Sequence, residues 1–194
     1  VGIGCATTVA IAKGQEEFRL AHRVFTLAVV VNLTVASLIT VTGVLFTRQL
    51  AQLLGATPDM IDLVVEYLKP VNYFAIPMIL STTFQGIIRG DGNPRLVMVA
   101  MLVSSVMNVV LDYVFIFKFH LGIFGASLAT GIGTTIGLML MMLHFLLHRN
   151  TIFLVRHFWS LRLLRRLLKN GTGSLGIELS AGVVTYLFNF SLLR

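Results

Sequence analysis

The sequence predicts an all-α integral membrane protein, a polytopic bundle of transmembrane helices. Of its 194 residues, 56% are hydrophobic and only 12% are charged, and the mean hydropathy is +0.89; these values lie outside the range of ordinary soluble domains. The apolar residues come in blocks of about twenty, the length that crosses roughly 30 Å of hydrocarbon as an α-helix. Most charged residues lie between these blocks. The lone Cys5 excludes an internal disulfide and a cysteine metal site.

The first half of the chain contains the end of one membrane helix and two further helices. Residues 1–12 form that helix end, 13–23 a charged loop, and 24–46 a span. Residues 47–59 turn back, with Thr57 and Pro58 predicted as the N-cap and first residue of the next helix. That helix covers residues 60–88, and Pro77 predicts a kink in it because proline removes one backbone hydrogen bond.

The second half begins at a glycine-rich turn, residues 89–95, in which Asn93 and Pro94 start another helix. Residues 96–117 span, 118–122 turn and 123–147 span again. A basic segment follows over residues 148–170, and a further helix begins at Gly171. The chain opens inside one apolar stretch and closes beside another, so we expect it to be a fragment of a longer protein.

Charge predicts the orientation of these spans, since lysine and arginine collect in short cytoplasmic loops. Alternate loops differ clearly. The loops around residues 13–23, 89–95 and 148–170 hold most of the basic residues, whereas the others hold Arg48, Lys118 and the helix-end Lys69. The first set is therefore predicted to be cytoplasmic. This asymmetry accounts for most of the net charge of +7, so no nucleic-acid partner is implied.

The basic segment contains an amphipathic stretch over residues 159–169. Its cations recur at i, i+3, i+4 and i+7, and leucines occupy the opposite side. The cations are Arg162, Arg165, Arg166 and Lys169. Such a helix lies along the inner leaflet with its basic face toward anionic headgroups of the lipid bilayer. A linker role is predicted, and a regulatory or partner-binding role is the alternative.

A stripe of small residues follows one face of the helix over residues 123–147. Gly125, Ala129, Gly133 and Gly137 are spaced by four, which lets another helix approach closely. Close packing is the first interpretation, although a face that packs closely is also one that can slide.

Asp112 stands in an apolar run, and an ionised carboxylate there costs several kcal/mol unless it is paired or faces water. Asn108 lies one turn earlier on the same face. Across the turn at 118–122, Thr130 reaches a similar depth, about 8 to 10 Å inside the outer boundary. Oxygen donors of this kind suit a proton or a small cation such as Na⁺ and are poor ligands for zinc. The alternative is that Asp112 only reaches the outer headgroups and caps a loop.

Glu178 presents a second intramembrane carboxylate, roughly 10 Å from the cytoplasmic face. Asn189 lies eleven residues further on, three turns up the same side, so a polar stripe facing a cavity is predicted. The alternative is a helix-entry carboxylate near the positive end of the helix dipole.

Three blocks, "GIIRGDGNPR", "NVVLDYVFIF" and "LGIFGASLAT", resemble the first half of the multidrug and toxic compound extrusion (MATE) transporters in content, order and spacing. The "GIELSAGVVTYLFN" stretch is similar to the start of the second lobe in bacterial members. The resemblance implies two six-helix lobes around a central cavity. It assigns residues 1–147 to the first lobe, lacking its first helix and with its second truncated. Residues 148–170 become a basic amphipathic cytoplasmic linker, and 171–194 the first helix of the second lobe.

The resemblance also implies a function: export of organic cations or amphiphilic toxins in exchange for H⁺ or Na⁺, by alternating access. Carried over by position, the first-lobe cation site includes Asn108, Asp112 and Thr130, and a further aspartate on the family's first helix lies outside these residues. Glu178 matches an acidic residue that some members carry on the seventh helix. We expect a multi-pass protein of the bacterial inner membrane, a monomer at full length, with no cofactor besides the coupling ion.

The residues themselves distinguish among three classes of function. A secondary transporter explains the intramembrane polar residues, the Pro77 kink and the small-residue stripe together. A flippase for lipids or lipid-linked oligosaccharides is the alternative, and it predicts more basic residues inside the spans. An intramembrane enzyme is not expected, because no His/Asp or paired-carboxylate constellation shares one depth.

Overall fold

A computed structural model describes the backbone of residues 2–192 and most of their side chains; those of residues 2, 3, 174, 175, 177, 178, 185, 186 and 189–192 are not described. All regular structure in this part of the chain is helical. The helices are α1 (Gly2–Gly14), α2 (Phe18–Leu45), α3 (Thr47–Leu53), α4 (Ile61–Tyr73), α5 (Ala75–Gly90), α6 (Pro94–Tyr113), α7 (Gly122–Leu146) and α8 (Leu161–Leu192), with a π-helical turn at Val114–Lys118 after α6.

Three stretches of the described residues are long and apolar enough to cross a membrane. They are α2, α6 together with its π-helical turn, and α7. The bent pair α4 and α5 makes a fourth if it counts as one span. The predicted class, an all-α bundle of membrane helices, is confirmed.

The bundle is packed around three phenylalanine rings from different helices. Phe25 of α2 stacks on Phe145 of α7 with ring centroids 5.7 Å apart. Phe84 of α5 meets the edge of Phe145 at 5.5 Å. Edge-to-face and stacked rings are favourable beyond the area they bury, so this cluster fixes α2, α5 and α7 relative to one another.

The predicted start of the fourth helix is wrong by three residues. Thr57 and Pro58 precede a turn in which the Met60 N–H donates to the Thr57 carbonyl at 3.0 Å, and α4 begins only at Ile61. Residues 47–53, between α2 and this turn, were expected to be part of a turn but form the short helix α3. By contrast, the start of α6 is as predicted: the Asn93 side chain accepts from the Leu96 N–H, and Pro94 follows at the first helical position.

The helix predicted over residues 60–88 is divided by a bend of 55°. The break falls at Phe74, between α4 and α5. Pro77 is the third residue of α5 and lacks the N–H that would donate to the Tyr73 carbonyl, so its role as cause of the bend stays a prediction. Gly131 of α7 faces the Phe74 ring, and a β-carbon there would lie 2.9 Å from that of Phe74.

The boundary predicted between residues 170 and 171 does not break the helix. The structure has one continuous helix, α8, from Leu161 to Leu192. About a third of the way along its length α8 crosses α1, where a β-carbon on Gly4 would lie 3.0 Å from the backbone nitrogen of Gly171 and still closer to the carbonyl oxygen of Leu167. Asn170 adds a hydrogen bond of 2.9 Å from its amide to the Thr8 hydroxyl. The division into lobe and linker at these residues stays a prediction.

Candidate functional site

A band of polar side chains runs along the junction of α5, α6 and α7; we call it the polar seam. Its members on α6 are one turn apart, which places them on one face of that helix. The seam consists of Ser81, Gln85, Ser104, Ser105, Asn108, Asp112, Thr130 and Thr134.

Asn108 and Thr130 are directly bonded. The Asn108 amide donates to the Thr130 hydroxyl oxygen at 3.1 Å, and that hydroxyl donates to the Ala126 carbonyl at 3.1 Å. The depth estimate had paired Thr130 with Asp112, whereas the residue that bonds to Thr130 is Asn108, one helical turn earlier on α6. Their approach depends on Gly133, where a β-carbon would lie 2.9 Å from the Ser104 carbonyl oxygen and 3.3 Å from Asn108.

The small-residue stripe of α7 accordingly serves as a packing face. Gly125, Ala129, Gly133 and Gly137 are all buried. A β-carbon on Gly137 would lie 3.0 Å from that of Ser104, and one on Gly125 would lie 2.9 Å from that of Phe115 in the π-helical turn. Side chains on this face would force α6 and α7 apart.

Asp112 lies one turn beyond Asn108, half-buried near the end of α6. Its Oδ1 atom is enclosed and has no hydrogen-bond partner among the described residues. An unpaired buried carboxylate oxygen is costly, and buried polar groups are otherwise almost always satisfied. Asp112 is therefore the member of the seam with a buried side-chain oxygen that no described residue satisfies.

The α6 helix changes its hydrogen-bonding pattern directly after Asp112. Residues Val114–Lys118 form the π-helical turn, a feature that is rare and frequently found at functional sites. No local sequence pattern predicted this turn. Because the turn packs on Gly125 through Phe115, it holds the end of α6 against the start of α7 beside Asp112.

Toward the other end of the seam lies a cavity of about 150 Å³. Its polar lining comes from five side chains that the sequence analysis did not single out: Ser81, Gln85, Ser104, Ser105 and Thr134. The Gln85 amide donates to the Ser81 hydroxyl at 3.3 Å. The spacing of four that links Ser104 to Asn108 and Asp112 is the sequence signal that would have found Ser104.

The remaining predicted residues fall elsewhere. Glu178 and Asn189 lie on α8, and their side chains are outside the described part of the structure. Pro77 lies in α5, three residues past the bend. Within the described residues no group of three or more histidine, cysteine or acidic side chains is arranged to hold a metal ion.

A second polar centre lies at the opposite end of the bundle, around Asp91 in the turn between α5 and α6; we call it the Asp91 hub. Lys13 of α1 donates to Asp91 Oδ1 at 2.7 Å, and His144 of α7 contacts Oδ2 at 2.8 Å. The Thr151 N–H donates to Oδ2 at 3.0 Å and its hydroxyl to Oδ1. One carboxylate thus joins α1, the α5–α6 turn, α7 and the segment after α7.

The hub fixes the proton on His144. The Asn93 carbonyl oxygen accepts from the Leu96 N–H, so its amide nitrogen faces His144 Nδ1, 3.3 Å away. Nδ1 then accepts, and Nε2 carries the proton that is donated to Asp91.

Asp91 is buried in this hub, which alone would raise its pKa. Hydrogen bonds from Lys13, Thr151 and His144 outweigh the burial and hold the pKa of the Asp91 carboxyl below its ordinary value. Asp91 is therefore ionised and acts as an acceptor for every partner around it.

Comparison with known proteins gives consistent results. The model of the MatE family matches residues 1–114. The multidrug export protein MepA of Staphylococcus haemolyticus is 29% identical over 158 residues, which is 80% of this chain and 35% of that protein. MepA of Staphylococcus aureus strain MRSA252 is 26% identical over 145 residues, 75% of this chain and 32% of that protein. The chain thus spans about a third of the length of these curated relatives.

A solved structure shows the same fold. It is the outward-facing conformation of a multidrug resistance MATE family transporter of the MOP superfamily, with a TM-score of 0.84 and 26% identity. The match covers 95% of this chain and 42% of that one.

Proposed function

Because this chain belongs to the MatE family of multi-pass membrane transporters, we propose that it forms part of a secondary active exporter of amphiphilic drugs or toxins. The exporter would use an inward gradient of H⁺ or Na⁺ and alternate access to a central cavity. Its MepA relatives are multidrug export proteins. No cofactor is invoked besides the coupling ion, and the activity is transport rather than catalysis.

One observation carries this proposal: the enclosed and unpaired Oδ1 atom of Asp112. In a membrane span such a carboxylate is stable only when neutralised by a proton, a cation or a partner. The Asn108–Thr130 pair one turn away offers oxygen atoms that suit a small hard cation. Asp112 is therefore the proposed coupling residue, with Asn108 and Thr130 as neighbours that position or share the ion.

The coupling step follows from charge. Binding of H⁺ or Na⁺ neutralises the Asp112 carboxylate, which then no longer requires solvation by water. Helices α6 and α7 can then repack around Asp112. Release of the ion leaves the carboxylate ionised and again in need of water. A ligand shifts such an equilibrium only by its different affinity for the two states, and here the difference is the solvation of one carboxylate. The drug itself is proposed to lie in the central cavity.

The test uses the intact protein in proteoliposomes and follows efflux of a fluorescent organic cation. A pH gradient and a Na⁺ gradient are imposed in separate experiments. We expect one of them to drive efflux, and Asp112→Asn to abolish it. The matched control is Asp62→Asn, because Asp62 is an exposed carboxylate paired only with Arg48 at 3.3 Å.

Equal gradient-driven efflux by Asp112→Asn and wild type would refute the assignment of Asp112. Movement of the dye under neither gradient, in folded protein, would favour the flippase. Against the flippase stands the composition of the seam: none of its members is basic, and a phosphate-bearing substrate would require cations there.

A further inference from the structure

A groove opens at the end of the bundle that the arginine distribution predicts to be cytoplasmic. It has a volume of about 300 Å³ and lies between the start of α6 and the end of α7. Its floor adjoins the Asp91 hub through Asn93 and His144. The groove belongs to neither the polar seam nor the proposed export path, and its occupant can be inferred from its lining.

Two arginines stand at the rim of this groove. Arg95 is the second residue of α6, and Arg149 lies three residues past the end of α7. Both are exposed, and neither has a carboxylate partner among the described residues. Asp91, the acidic residue beside the groove, is already engaged by Lys13 and His144. The positive charge at the rim is therefore not neutralised by this part of the chain.

The walls of the groove are apolar. Leu96 and Val99 lie one turn apart on α6. Leu143 lies in the last turn of α7, and Leu147 directly follows that helix. Val99, Leu143 and Leu147 are exposed. These side chains belong to the two helices that are long and apolar enough to cross a membrane, so the groove combines a positively charged rim with apolar walls.

We propose that this groove binds one anionic phospholipid of the inner leaflet. The phosphate lies between the guanidinium groups of Arg95 and Arg149, and an acyl chain follows the apolar walls. Guanidinium groups bind phosphate through paired hydrogen bonds, and the positive end of the α6 dipole adds to the attraction. Basic pockets between membrane helices on the cytoplasmic side are suited to such headgroups. A neutral headgroup would leave the two arginines without an anion, and a soluble phosphate would leave the apolar walls uncovered.

The experiment is a native mass spectrometry titration of the purified intact protein. The ligands are phosphatidylglycerol, phosphatidylcholine with the same acyl chains, and water-soluble glycerol phosphate. We expect phosphatidylglycerol to bind more tightly than either of the others. Each single variant, R95Q or R149Q, weakens its binding about fivefold, and the double variant roughly thirtyfold. The control R23Q removes an exposed arginine of α2 outside the groove and leaves binding unchanged.

Equal binding of the two lipids, or phosphatidylglycerol binding that is insensitive to R95Q/R149Q, would overturn the proposal. Glycerol phosphate binding as tight as the lipid would replace it with a soluble-anion site. If another part of the intact protein or a second copy covers the groove, no phosphatidylglycerol is retained there, which also overturns it. A second measurement needs no variant: photoactivatable phosphatidylglycerol should cross-link to peptides containing residues 93–99 and 143–149 of the wild type, and adducts only elsewhere would contradict the site.

Discussion

The side chain of Asp91 is 2% exposed and contacts groups from three separate segments of the chain. Its partners are 78, 53 and 60 residues away in sequence. Removing one member of a buried ion pair leaves its partners unsatisfied, which is far more costly than losing a surface pair. Asp91 therefore matters to the fold rather than to the seam.

We expect Asp91→Asn to lower the free energy of unfolding by about 3 to 5 kcal/mol. The measurement is thermal or denaturant unfolding of the detergent-solubilised intact protein. Asp59→Asn, an exposed carboxylate in the turn before α4, is the matched control and should change little.

The pKa of Asp91 is lowered, so its contribution to stability is complete above the ordinary carboxyl value of about 3.9 and is lost as the pH falls through the lower folded value. As the pH falls through this range, the free energy of unfolding should decrease more steeply for wild type than for Asp91→Asn. Parallel curves of unfolding free energy against pH would contradict this account.

At the scale of residues, the closeness of Asn108 and Thr130 could be predicted because they lie on two helices joined by a short turn, while the role of these residues and Asp112 in ion coupling stays a prediction. Counting residues from that turn gives their depth. The Asp91 hub was out of reach, because its members come from distant parts of the chain and only tertiary packing brings Lys13, His144 and Thr151 to one carboxylate. The aspartate in "RGDGNPR" looked like an ordinary turn residue.

Among the elements, the contact of α6 with α7 depends most on the absence of side chains. We expect Gly133→Ala to cost about 1 to 3 kcal/mol of stability, because the new methyl group meets the backbone oxygen of Ser104. The control Gly173→Ala introduces the same methyl group on α8, where nothing lies within 4 Å; it should be neutral or stabilise by up to about 1 kcal/mol. The measurement is the melting temperature of the two variants in one detergent, which should be lower for Gly133→Ala. Similar melting temperatures would show that α6 and α7 can separate without a loss of stability.

The limits of prediction at this scale have physical causes. Hydrophobic blocks located the spans well, because their length is set by the bilayer. Helix ends were less certain: Thr57 and Pro58 carry start signals, yet a turn delays α4 to Ile61. The bend falls at Phe74, three residues before Pro77, and Pro77 as its cause stays a prediction. Nothing local marked the continuity of α8 through Gly171.

For the molecule as a whole, α1 and α8 are held together by one close crossing. We expect Gly4→Ala to push α8 away from α1, because a β-carbon there meets the backbone at Leu167 and Gly171. Amide hydrogen exchange over residues 161–170 should then become faster, since these amides lose the protection of packing. Gly14→Ala on the same helix has nothing within 4 Å and should leave the exchange unchanged. Unaltered exchange in Gly4→Ala would mean that α8 is not held at this crossing.

The whole molecule places its two polar centres at opposite ends of α7. Thr130 belongs to the seam and His144 to the Asp91 hub, about 21 Å apart along the helix axis. Mean hydropathy and charge order predicted a bundle with a defined orientation, but not that one helix connects both centres.

The continuity of α8 gives it the mechanical properties of a lever. Its 32 residues amount to about 48 Å of helix, of which about 32 Å lies beyond the crossing at Gly171. With Gly4 as the fulcrum, a tilt of about 10° displaces the far end by roughly 5 Å over that length. The short arm, about 15 Å from Gly171 to Leu161, leads into the segment that Thr151 ties to Asp91. A small movement at that end of α8 is therefore amplified about twofold at the other end of the helix.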